Sequence, residues 1–487
     1  MSTSATTGFC RVTVVAPDSR IDVALPDDIA VADVHPEILR LTGQTQPVGT
    51  PAGYHLVRRD GTVLDGARTL AAQRVLDGEI LVLRPFAESL PPAVHDDVTD
   101  AIAAAVTRDG TLWNERLLRA FGLSGGCLLL VLTAAVLWCA DPAGHDMHGL
   151  PGVIAGAAGL LLTALAAVRA RVYGDRGSAL ALGLAALPHL MVAGSGIVAP
   201  APGEGIGRLQ FLLGCVAVLI ASVVLVAAVP SGDGVFVAAV VTAATGTLAT
   251  FCAILTQAAP ARTAAVCGVA AIGAIGFLPG LSARVARLPI GYAAPRPATA
   301  AGTGADGGPG AVPVDAERIA DRARRGHELL LGLVGGCSAV VTGSAAVLAF
   351  AGDGWCRLLA LAIGPAMLLR ARLFRRTPQV AAVLAAGLAA LALLALGTAL
   401  RPPAGAVRAL LAHDHGPLDV RTIWLTAAVA AAGAVLTGVA LIVPRKGLSP
   451  FWGRFSDLAE GALLLALVPL CLAVLDVYAT VRGLTST

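Results

Sequence analysis

Few residues in this chain combine a reactive type with a setting that could use it. His189 follows Pro188 inside a long apolar run. An ionisable side chain at membrane depth is a functional hypothesis by default. A histidine beside a proline also has a structural reading, in which it bonds a carbonyl freed by the kink, and that reading is preferred here. His145 and His148 (HDMH), with His413 and His415 (HDH), could together ligate a metal. The two tracts lie on short loops far apart in sequence, so no metal role is assigned to them. Glu460, near Asp457, and Asp476 stand at opposite ends of the last apolar run and read as boundary residues rather than a proton path. No Walker A motif, G-x-S-x-G elbow or H-E-x-x-H occurs, so the chain has no visible means of hydrolysing ATP or peptide. The cysteines (Cys10, Cys127, Cys139, Cys215, Cys252, Cys267, Cys337, Cys356 and Cys471) form no C-x-x-C pair. Most lie in apolar runs, where free cysteine behaves as a small hydrophobe rather than a disulfide or zinc ligand. The expectation is a protein that is not an enzyme, with no catalytic, cofactor-binding or metal residue. Energy for any driven process would come from a partner.

Composition says what holds these residues. The chain is 56% hydrophobic and 14% charged, against about 25% charged in soluble domains. That deficit marks a membrane protein. A formal net charge of +3, with no basic tract interleaved with aromatics, excludes nucleic acid as a partner. The many glycines suit closely packed membrane helices. Residues 1–20 lack the basic start and apolar core of a signal peptide.

The organising stretch is 121–140, FGLSGGCLLLVLTAAVLWCA, which has neither charge nor proline. At 1.5 Å per residue it is about 30 Å of helix, the thickness of a bilayer's hydrocarbon core. Ten further runs follow at 149–168, 178–199, 209–229, 235–256, 263–279, 328–351, 358–369, 379–400, 422–443 and 458–478. The run at 358–369 is short and would be the first to move if the count changed. The predicted membrane domain is thus 121–487 with about 11 transmembrane helices. A long loop, 280–327, combines Ala/Gly/Pro low complexity with a charged helix at 315–325 and reads as a linker. If the N-terminus is cytoplasmic, the inner segments hold 20 Lys or Arg and the outer segments 7. This fits the positive-inside rule and leaves the C-terminus outside.

Upstream of the membrane, residues 1–90 read as a soluble head. Alternation at 10–16 and 20–25 around Pro17-Asp18-Ser19 predicts a hairpin. Apolar spacing predicts a helix over 31–41, with Pro36 near its start. Strands are expected at 54–58 and 79–83, with a short return strand at 63–64 and one helical turn at 69–75. This order is that of an α+β ubiquitin-like (β-grasp) domain. Leu83-Arg84-Pro85-Phe86 lacks a terminal Gly-Gly and the chain runs on, so conjugation is excluded and a docking module remains. Residues 91–120 form a linker arm. Its 94–106 segment has apolar residues at helical spacing and acidic residues in its early turns. An acidic polar face suits a partner better than an anionic membrane surface.

A ubiquitin-like head, an arm and eleven spans resemble the EccD family, the polytopic membrane component of type VII (ESX) secretion systems. The more specific stretches are VTVVAPDSRIDVALP and TLAAQRVLDGEILVLRP in the head, LPGLSARVARLP at 278–289, LLRARLF at 368–374 and SPFWGRFSDLAEGALLLALVPLCLAVLDVY at 449–478. The resemblance implies a structural subunit of the bacterial inner membrane that pairs with a second copy of itself and encloses membrane lipids. It implies that head and arm dock an EccC-type ATPase, that EccB- and EccE-type proteins stand alongside, and that the cargo is of the WXG100 type. The alternative is a secondary transporter with a regulatory β-grasp domain, which would need ionised groups at the midplane.

Overall fold

The computed structural model describes residues 8–17, 19–44, 53–85, 98, 113–201, 205–229, 234–286, 316–446 and 449–485. The predicted arm helix at 94–106, apart from Val98, lies outside the described residues, as do Asp18 of the first turn and the linker over 287–315. The chain divides into two compact units, Met1–Trp113 and Asn114–Thr487.

In the first unit, β1 (Phe9–Val15) and β2 (Arg20–Pro26) form the expected antiparallel hairpin, with Val12 opposite Val23. β1 also pairs in parallel with β4 (Ile80–Pro85), which pairs antiparallel with β3 (Tyr54–Arg58). The order β2-β1-β4-β3, with the parallel pair at its centre, is the β-grasp sheet. Strand alternation puts Cys10, Val12 and Val14 inside. Helix α1 (Val31–Leu41) buries Val31 and Ile38 and carries Asp33 in its first turn, where its charge suits the helix dipole. Ile38, Leu56, Leu70, Leu81 and Leu83 complete one core. The return strand expected at 63–64 is reduced to an isolated bridge, Val57 with Val63. Gly61 turns the chain at a φ of +90°. By Asp65 the backbone N–H has left the sheet for the Gln73 side chain, at 2.8 Å.

The second unit is all helix: α2 (Glu115–Trp138), α3 (Leu150–Arg171), α4 (Arg176–Ser195), α5 (Arg208–Ala228), α6 (Gly234–Thr256), α7 (Pro260–Ile275), α8 (Leu278–Val285), α9 (Ala316–Phe350), α10 (Gly354–Arg370), α11 (Thr377–Leu400), α12 (Ala404–Leu411), α13 (Gly416–Lys446), α14 (Pro450–Val474) and α15 (Val477–Thr485). A helix stands at each of the eleven expected positions. Among the described residues nine helices are long and apolar enough to cross a membrane, or ten if α7 and α8 form one span bent by 65°. The bend falls at Gly276-Phe277, just before Pro279 at the start of α8, where proline best tolerates its missing N–H. α10 has 17 residues, about 25 Å of helix. Arg357 and Arg370 bound its apolar run, so it falls short on its own. The charged helix and seventh span expected as separate pieces are one helix, α9, because the lone Gly326 between them costs a helix only about 1 kcal/mol and no proline stands there.

Side-chain caps begin several helices. Asn114 Oδ1 accepts from Leu117 N at 2.9 Å, and Asp353 accepts from Trp355 N and Cys356 N at 3.0 and 3.2 Å. Missing side chains let helices touch. A Cβ at Gly332 or Gly336 of α9 would fall 2.5 or 2.6 Å from Val237 or Val241 of α6. The main core joins α7, α9, α10, α11 and α14 through Ile272, Val341, Ile363, Met367, Val383 and Leu467.

Candidate functional site

The candidate chemistry of this chain lies in the polar side chains of its helical unit, and most are tied to protein. His189 on α4 is 1% exposed. Its Nδ1 is 2.9 Å from Ala185 O and its Nε2 is 2.9 Å from Thr133 Oγ1 on α2. Nδ1 faces a carbonyl and so donates to it, while the Thr133 hydroxyl, also 2.7 Å from Leu130 O, has one proton for that carbonyl and Nε2 together. The imidazole bonds a backbone carbonyl, as the structural reading expects, but not the one the kink frees. Pro188 frees the carbonyl of Leu184, four residues back, whereas the imidazole bonds the next one, Ala185. Nothing in the residue pattern marks Thr133, 56 positions away, as the second partner.

The boundary carboxylates are paired across helices. Glu460 of α14 meets Arg370 of α10 at 3.3 Å, both side chains about one-sixth exposed. Asp457 meets Arg372 at 2.8 Å, in a more exposed position. Asp476, at a φ of +58° just beyond α14, meets Arg262 of α7 at 2.5 Å. These pairs tie the ends of α14 to α10 and α7. Charge at a helix end was readable in the sequence; its partner, up to 214 positions away, was not.

Asp175, the N-cap of α4, is a charged position that sequence reasoning passed over. It accepts from Arg169 of α3 at 2.5 Å and from Arg119 of α2. Its carboxyl is held down from 3.8 to about 2, first by the hydrogen bond from the Ser178 hydroxyl and then by that residue's N–H and the two guanidinium groups. Asp141 is lowered as well, by the backbone N–H groups of Asp146, Gly144 and Ala143 that close its loop.

His145 and His148 of the first loop each lie on a backbone carbonyl. His145 stacks on Trp138, ring centres 5.3 Å apart, with Nδ1 3.0 Å from Trp138 O. His148 Nδ1 lies 2.9 Å from Gly196 O. Among the described residues no three His, Cys, Asp or Glu side chains gather as a metal site would need. The nine cysteines are free thiols. A cavity of about 820 Å³ opens between α6, α7 and α9, lined by Val241, Leu248, Cys252, Val266 and Cys337. Its charged lining residue is Arg262, already paired with Asp476. It can hold apolar matter; its polar lining residues Thr245, Thr256, Gln257 and Thr263 donate to backbone carbonyls of their own helices or turns.

A β-grasp head joined to a polytopic body whose charges pair at helix ends defines a membrane protein built for packing and contact. Comparison with known proteins narrows this class. Residues 118–484 match the family model described as EccD-like transmembrane domain, and residues 9–83 match that of YukD, a protein of the WXG100 protein secretion system (Wss). The ESX-4 secretion system protein eccD4 of Mycobacterium tuberculosis, in strains CDC 1551 / Oshkosh and ATCC 25618 / H37Rv, is 30% identical over 515 aligned residues, covering 99% of this chain and 98% of that protein. The chain belongs to the EccD family and is a membrane subunit of a type VII secretion system. Two solved structures, each 20% identical, share the fold. Protomer 1 of the ESX-3 core complex gives a TM-score of 0.57 over 97% of this chain and 100% of that one. A MycP5-free ESX-5 inner membrane complex gives 0.51 over 88% and 99%.

Proposed function

We propose that this protein is a structural, non-enzymatic subunit that docks an EccC-type ATPase through its cytoplasmic head and arm. In this reading residues 1–90 are the head, 91–120 the arm and 121–487 the membrane domain. A second copy and EccB- and EccE-type proteins complete the assembly, which exports WXG100-type proteins. The N-terminus faces the cytoplasm and the C-terminus the outside. The observation that carries the reading is the joining, in one chain, of a YukD-like head to an EccD-like body. The excess of inner-segment arginine supports the orientation. The head's edge strands, β2 and β3, and its solvated surface leave room for a partner.

The transporter alternative gains nothing from His189, whose two ring nitrogens are spent on Thr133 and Ala185. The test is deletion of residues 1–90 in the native host. The truncated protein is expected to insert into the membrane and to lose the ATPase on gentle detergent extraction. Retention of the ATPase by the truncated protein would refute the docking role.

A further inference from the structure

At one end of the first three helices lies an open basin of about 730 Å³ walled by Arg119, Leu123, Arg169, Tyr173, Asp175 and Arg176. Three guanidinium groups face one carboxylate there. Asp175 bridges Arg119 and Arg169. Arg169 is fixed further by Ser178 Oγ, 2.9 Å from its Nε, and by the Tyr173 ring, whose centre is 5.0 Å from its guanidinium carbon. Arg176 is exposed and has no hydrogen bond or ion pair among the described residues. The carboxylate orders the cluster without neutralising it, and a net charge of +2 remains.

The basin continues in an apolar direction. From Arg119, the spacings i+3 and i+7 on α2 bring Gly122 and Gly126 to one face, with Leu123 beside them. A Cβ built on either glycine would meet nothing within 4 Å. An uncovered strip of helix surface, outside the basin's own lining, thus runs from Arg119 along a helix that enters the bilayer. Soluble phosphate would use the charges alone. A molecule with an anionic head and a long apolar tail would use both parts.

We propose that this basin and the uncovered strip beside it form a binding site for an anionic glycerophospholipid. Arg119, Arg169 and Arg176 take the phosphodiester, and one acyl chain lies over Gly122 and Gly126. The site needs only that the basin stand at a membrane boundary, so it stands or falls separately from the ATPase docking reading.

The test is native mass spectrometry of the full chain in detergent, titrated with dioleoylphosphatidylglycerol, dioleoylphosphatidylcholine or inorganic phosphate. The expected result is one retained phosphatidylglycerol adduct, with phosphatidylcholine bound more weakly. Arg176→Gln should weaken the adduct about fivefold, the factor for one charge at a membrane surface. Gly126→Leu should weaken it severalfold with no change of charge. Arg176 is exposed and a Cβ at Gly126 meets nothing within 4 Å, so both variants are expected to keep the fold. Arg284→Gln, the same charge loss on α8, should leave binding unchanged. The proposal is overturned if Arg284→Gln weakens the adduct equally or if the two lipids bind alike. It is also overturned if inorganic phosphate displaces the lipid while Gly126→Leu has no effect, which would assign the basin to a soluble anion.

Discussion

Helices α10 and α13 belong to one bundle and are both rich in alanine and leucine, yet they meet opposite surroundings. α10 has 17 residues and buries Cys356, Leu359, Ala360, Ile363, Ala366 and Met367. α13 has 31 residues and buries none across its apolar window, leaving Ile423, Trp424, Val435 and Ile442 exposed. Length and hydropathy rank them the other way round. A helix facing lipid must be long and apolar, because lipid offers its backbone and side chains no other partner. A helix wrapped by its neighbours can be shorter, and its ends can carry charge where those neighbours supply a counter-charge. α10 does this through Arg370 and Glu460. Hydropathy therefore reports fitness for lipid and is silent on what a helix touches.

The contrast is broken most forcefully by adding volume. In α10 a Cβ at Gly364 would lie 2.6 Å from Leu391 of α11, while at Gly433 of α13 it would meet nothing within 4 Å. Gly364→Leu should destabilise the detergent-solubilised protein by about 3 kcal/mol, and Gly433→Leu by less than about 0.5 kcal/mol. Thermal unfolding followed by tryptophan fluorescence measures both. Equal losses would mean that α13 is packed in solution and that the contrast is false.

Removing charge gives the next largest effect. Arg370→Ala strands Glu460 in a mostly buried place and should lower stability by about 2 kcal/mol. Adding Glu460→Ala should restore part of it, because the stranded carboxylate then disappears. Among the described residues Arg421, near the start of α13, reaches only Arg401 O, at 3.5 Å. Its replacement by alanine should change stability by less than about 0.5 kcal/mol. A double variant no better than Arg370→Ala would show that the guanidinium acts by packing rather than by pairing.

The same contrast explains what could be read in advance. The head was legible almost to the residue at 31–41 and 54–58, since alternation and helical spacing each bury one face against one core. Its lapse, the return strand at 63–64, came where the pairing with β3 ends after one bridge, because by Asp65 the backbone bonds the Gln73 side chain instead. In the body each apolar run announced a helix, and the short run at 358–369 was rightly singled out as the weakest. What the runs could not announce was the bend at Gly276-Phe277, the fusion of the charged helix into α9, or any partner of a polar side chain. His189 with Thr133, Glu460 with Arg370 and Asp175 with two arginines are long-range pairings, and a helical period fixes only which residues share a face. The Asp175 cluster was missed because its members lie at the ends of three runs and look, one by one, like ordinary flanking charges.

The smallest effect separates packing from charge by titration. Asp175 has its folded value lowered to about 2 from an ordinary 3.8. A carboxyl depressed by folding stabilises the folded state above its unfolded value, and that contribution fades as pH falls through the folded one. The window is therefore from about pH 4 down to about pH 2. Asp175→Asn should lower the thermal midpoint by a constant amount above pH 4, and the gap to the unaltered protein should close as pH approaches 2. The gap produced by Gly364→Leu should stay level across the same range, because overpacking binds no proton. An Asp175→Asn gap that persists to pH 2 would show that the N-cap hydrogen bonds to Ser178, which an amide oxygen can also accept in part, matter less than another contact, and that the arginines contribute no charge-dependent stability.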